Sequence, residues 1–61
     1  MVVLKVENMH CEMCVARIRT AFAAENIEAE ILLAQKTVAV ALADKEKAIA
    51  TLDDLGFDAT L

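Results

Sequence analysis

The sequence has no proline, no tryptophan and no tyrosine, and its one glycine is Gly56. Each shortage excludes something. With only Phe22 and Phe57 as aromatic residues, the chain offers no platform on which bases could stack. Six basic residues against ten acidic ones give a net charge of −4, the wrong sign for a phosphate-binding surface. A nucleic-acid partner is therefore not expected. Long apolar runs are also missing. The longest, Val38 to Ala43, falls far short of the ~20 residues that span a bilayer, so membrane insertion is not expected either. The stretch from Met1 to Glu7 has neither the basic start nor the long apolar region of a signal peptide. The expected location is the cytoplasm, where cysteines stay reduced.

What remains is a 61-residue chain, 59% apolar and rich in alanine. That length suits one domain, residues 1–61, with a thin aliphatic core. So little Gly and Pro leaves periodicity to mark the elements. Val2, Leu4 and Val6 alternate with Val3, Lys5 and Glu7, the pattern of a strand with one buried face. Val15, Ile18 and Phe22 then follow helical spacing. Ile27, Ala29, Ile31 and Leu33 alternate again and, after a turn over Ala34-Gln35-Lys36-Thr37, so do Val38, Val40 and Leu42, which predicts a hairpin. Asp44 reads as the N-cap of a second helix striped by Ala48, Ile49, Leu52 and Leu55 and stopped by Gly56. Phe57 to Leu61 remain for a last strand.

This order predicts an α+β fold: a ferredoxin-like β-α-β-β-α-β sandwich, with a four-stranded antiparallel sheet and two helices on one face. The apolar stripes suffice to close a core without a metal. The topology brings three connections to one end: strand 1 to helix 1, the hairpin turn, and helix 2 to strand 4. Glu7, Glu12, Asp53 and Asp54 are expected to gather there, with Lys36 as the main opposing charge and Arg17, about a turn down the first helix, offsetting them only in part.

The first of those connections carries Met9-His10-Cys11-Glu12-Met13-Cys14. Two thiols at this spacing can converge on one ion as the chain curls into a helical turn. The free N–H groups of that turn favour the thiolate, which is the ligating form. Soft thiolates select Cu(I), Zn(II) or Hg(II). A structural zinc site needs four protein ligands, and here Zn(II) would need help from His10, Glu12 or a second molecule. Cu(I) accepts two thiolates in a near-linear arrangement, and Hg(II) is satisfied in the same way. Counting ligands therefore favours Cu(I) on Cys11 and Cys14, with Hg(II) and Zn(II) as alternatives. A thiol-disulfide oxidoreductase is the competing enzyme reading. It usually needs a larger fold and a Pro or aromatic residue beside the pair, so a non-enzymatic binding module is favoured. Met9 is in phase with the core, Met13 reads as exposed, and His10 and Glu12 as solvated.

At these residues the chain resembles the heavy-metal-associated domains of small copper chaperones and of the N-terminal modules of copper-transporting P-type ATPases. The resemblance rests on Met9, Cys11 and Cys14 in a Met-x-Cys-x-x-Cys core, Val15 and Ile18 behind it, Leu55-Gly56-Phe57, and the order of elements. It implies metal ligation by Cys11 and Cys14, Met9 turned into the core, and Phe57 packed beside the site. It also implies Cu(I) transfer by thiolate exchange with such an ATPase or a cognate metallochaperone. A monomer is expected, and a metal-bridged dimer stays open. The chain departs from the family pattern at Asn8, where Gly is usual, and at His10, often Thr. Asn tolerates a left-handed backbone, which would let the loop survive the first change.

Overall fold

Leu4 and Val6 are fully buried while Val3 and Lys5 face solvent in the computed structural model, which covers residues 1–61. This half-buried strand, β1 (Val2–Val6), is followed by α1 (Glu12–Ala24), β2 (Ala29–Leu32), β3 (Thr37–Val40), α2 (Lys45–Asp54) and β4 (Ala59–Thr60). The strands form one antiparallel sheet in the order β2-β3-β1-β4. Pairing of Leu4 with Val38 and of Val2 with Val40 sets the register and keeps these four residues on one face. Ile18 and Phe22 of α1 and Ala48 and Leu52 of α2 join Leu4, Val6, Val38 and Val40 in a single core. No polar or charged residue is buried. The opposite face, with Val3, Lys5, Glu30 and Leu32, is left to solvent. The expected ferredoxin-like architecture is the observed one.

Both helices end in the same way. After α1, Asn26 adopts φ 58°, and the N–H groups of Asn26 and Ile27 reach back to the carbonyls of Ala23 and Phe22 at 3.2 and 2.9 Å. After α2, Gly56 adopts φ 89°, and the N–H groups of Gly56 and Phe57 bond to Asp53 and Leu52 at 3.0 and 2.9 Å. These are Schellman caps. Each one also drives the following apolar residue, Ile27 or Phe57, into the core beside the helix it ends.

Several boundaries differ from the sequence reading. The hairpin turn runs over 33–36, and Thr37 already pairs with Leu32 and Lys5. Lys36, at φ 56°, closes the turn with its N–H on the Leu33 carbonyl. Leu42 does not continue β3. That strand stops at Val40 because its partner β1 begins at Val2, and the chain leaves the sheet through a 3-10 turn, Leu42–Asp44, where Leu42 is 73% exposed. Asp44 stands at the N-cap position of α2, but its side chain makes no capping bond. A capping residue needs an extended backbone, and Asp44, at φ −98° and ψ 1°, has already been turned by the 3-10 segment. The last strand is only Ala59–Thr60.

The three connections meet as expected. Val6 donates its N–H to the Lys36 carbonyl at 2.8 Å, tying β1 to the hairpin turn. Asn8 ties the same end to the segment after α2: its Nδ2 donates to the Gly56 carbonyl at 3.0 Å, and its Oδ1 accepts from the Asp58 N–H at 3.2 Å.

Candidate metal centre

Cys11 occupies the N-cap position of α1 in an extended conformation, φ −148° and ψ 169°, and Cys14 lies in the first turn. The Cys11 carbonyl accepts from the N–H groups of Cys14 at 3.1 Å and Val15 at 3.3 Å. That curl turns the two side chains the same way and leaves their Sγ atoms 3.6 Å apart. Both cysteines are free, Cys11 exposed and Cys14 half-buried. The separation is well beyond the ~2.05 Å of a disulfide, and one ion can touch both sulfurs.

The Cys14 thiol is held below its ordinary pKa, chiefly by a hydrogen bond from the His10 backbone. The Cys11 side chain is the next contributor, partial desolvation opposes the shift, and the Cys11 backbone and the positive charge of Arg17 add to it. The sign is that of an acid stabilised in its ionised form. The thiolate persists at pH values where a free cysteine is protonated, and is lost as pH falls through the lowered value. Alkylation of the apo Cys11→Ser variant by iodoacetamide should therefore have its pH midpoint below that of a cysteine peptide. A midpoint at or above the peptide value would contradict this environment.

The other residues divide clearly. Met9 is 0% exposed and belongs to the core, as expected. Met13 is 76% exposed, and His10 and Glu12 are exposed. No third His, Cys, Asp or Glu joins the thiols in a ligand cluster, so the structure leaves His10 out of the pair's immediate group. Phe57 is buried, and the guanidinium carbon of Arg17 lies 5.9 Å from its ring centroid. Asp53 shares a groove with Phe57 and Asp58, but Asp54, expected beside Asp53, lies one residue further round the helix and faces the cleft between the helices with Glu25 and Lys47.

Asn8 acts differently from the sequence reading. Its backbone is not left-handed. Its side chain is what matters, bridging residues 48 and 50 positions away. Losing both bonds in Asn8→Ala should cost about 1 kcal/mol, a fall of roughly 4–8 °C in Tm for a domain of this size. Asn8→Asp, which keeps the acceptor for Asp58, should lose less. Equal melting of all three proteins would show that the bridge contributes nothing.

A β-α-β-β-α-β sandwich with two free thiols at the first helix start, one exposed and one half-buried, is the build of a heavy-metal-associated domain. The model of that family matches residues 3–58, and the chain belongs to it. Among solved structures it is similar to the copper chaperone Atx1 from Synechocystis PCC6803. A mutant of that protein in its Cu1, trimeric form has a TM-score of 0.84 at 19% identity, with 98% of this chain and 100% of the other covered. The Cu2 form gives 0.81 at 22% identity with the same coverage. At these identities the likeness is one of fold. No curated protein matches the sequence. No helix is long and apolar enough to cross a membrane.

Proposed function

We propose that this domain binds one Cu(I) between Cys11 and Cys14 and passes it to or from a partner by thiolate exchange, as a copper chaperone or as a metal-binding module of a copper-transporting ATPase. The observation that carries this reading is the pair of free Sγ atoms 3.6 Å apart with no third His, Cys, Asp or Glu clustered with them. Two soft thiolates satisfy Cu(I) but leave Zn(II) short of ligands. Cys11 is exposed, so an incoming thiolate can reach the ion before an outgoing one leaves. The ion then moves through three-coordinate intermediates and is never released free. No catalysis is needed for this, and the reading is of a cytoplasmic carrier rather than an enzyme.

The similarity to a copper chaperone fold supports a partner of the same kind: a copper-transporting P-type ATPase or a cognate metallochaperone. Glu7, Glu12, Asp53 and Asp58 are all exposed, and Asp53 and Asp58 flank Phe57. A partner bearing Lys or Arg on its docking face suits these charges. The chain acts as a monomer in this reading; a metal-bridged dimer would need the thiolates of two chains.

The test of exchange is kinetic. Cu(I)-loaded chain is mixed with an apo two-cysteine metal-binding domain beside a small-molecule Cu(I) chelator that traps any free ion. Transfer is expected to outrun trapping and to accelerate with acceptor concentration. A rate independent of acceptor and equal to the rate of trapping would mean that the ion simply dissociates.

A further inference from the structure

Two thiolates around a monovalent ion form a complex of charge −1, whereas the same thiolates around a divalent ion form a neutral one. The metal-free chain is the common reference for both, so this one-charge difference holds whatever the protonation of the free thiols. A fixed positive charge beside the sulfurs therefore favours the monovalent ion over the divalent one. The effect acts on the ratio of the two affinities rather than on either alone.

Arg17 is placed to be that charge. It lies three residues beyond Cys14 on α1, on the same face of the helix. An exposed Arg side chain ordinarily spreads over many rotamers, but this one lies over the Phe57 ring at 5.9 Å, within cation–π range. The ring is itself fixed. It is 5% exposed, its N–H bonds to Leu52, and the residues on either side of it are joined to Asn8. The second half of the chain thus restrains a cation of the first half, one helical turn beyond Cys14.

We propose that Arg17 is a specificity-determining residue that biases the Cys11–Cys14 site towards monovalent over divalent soft ions, with Phe57 as the positioning residue that holds it. This rests on the reading of Cys11 and Cys14 as the ligands.

Cu(I) and Hg(II) make the sharpest comparison, because both are d10 ions content with two near-linear thiolates and differ in charge. Cu(I) affinity is measured against a chromophoric chelator and Hg(II) affinity against a competing small dithiol, each on the full chain. Arg17→Ala should lower the Cu(I)-to-Hg(II) affinity ratio roughly three- to tenfold, the scale of one partly screened charge. Arg17→Glu should lower it further, Arg17→Lys should largely restore it, and Phe57→Leu should lower it about twofold. Rising salt should shrink the difference between wild type and Arg17→Ala. Arg19→Ala removes the same charge from a flank facing β2 and should leave the ratio unchanged. A merely structural role for Arg17 would weaken both ions alike. An unchanged ratio in Arg17→Ala and Arg17→Glu, or an equal fall in Arg19→Ala, overturns the inference while leaving the cysteine reading intact. A wild-type chain unable to hold Cu(I) overturns both.

Discussion

Replacing either thiol by a hydroxyl, in Cys11→Ser or Cys14→Ser, is expected to lower Cu(I) affinity by about a thousandfold or more. A serine hydroxyl is hard and stays protonated at neutral pH, so one thiolate would be left to hold a soft ion. Changes that only reorient a ligand cost about 10–100-fold, and loss of a ligand itself should exceed that. No third His, Cys, Asp or Glu clusters with the pair, Met9 is sealed in the core, and the exposed thioether of Met13 is neutral and cannot replace a thiolate. Both variants should fold normally, since Ser is nearly isosteric and neither cysteine is fully buried. Competition against a chromophoric chelator, with circular dichroism to verify the fold, reads the effect. A variant that binds within tenfold of wild type would remove that cysteine from the site.

Phe22→Ala should have the largest effect on stability. Phe22 is 2% exposed at the centre of the core, where α1 meets the sheet and where its carbonyl caps the helix end through Ile27. Truncating a buried Phe costs about 3–5 kcal/mol. A domain of 61 residues has in total only about 3–9 kcal/mol. The variant should thus be largely unfolded at room temperature without metal, while the metal-free, reduced wild type melts cooperatively. Cu(I) binds the folded form and should pull part of the variant back. Urea titration followed by far-UV circular dichroism checks both claims. A wild type that is a coil until metal is added would show that the site, rather than the core, organises this chain.

Where apolar periodicity decided an element, the sequence was a sound guide. Leu4, Val6, Ile18, Phe22, Val38, Val40, Ala48 and Leu52 were all legible as core and are all buried. Met9 and the exposed Met13 were separated correctly from spacing alone. The boundaries were less legible. Leu42 continues the alternation of β3 in sequence, but a strand extends only as far as its partner, and Val2 marks that limit. Asp44 has the residue type of a cap, yet the 3-10 turn before it spoils the geometry. At the candidate site, the closeness of the two thiols could be read from the motif because their separation is local. Asn8 could not be understood so, since its bonding partners lie almost the whole chain away. Arg17 falls between these cases. Its place one turn beyond Cys14 is legible from helical spacing, but the ring that holds it comes from the other half of the fold.

The central claim, one Cu(I) held by the two thiolates of one chain, is tested most directly at the metal. Anaerobic loading to saturation, followed by copper K-edge X-ray absorption on the wild-type chain, reads stoichiometry and first-shell ligands together. The expected result is one Cu(I) per chain with two sulfur neighbours and no nitrogen or oxygen neighbour. Half an ion per chain with three or four sulfurs, or a nitrogen neighbour from His10, would contradict it.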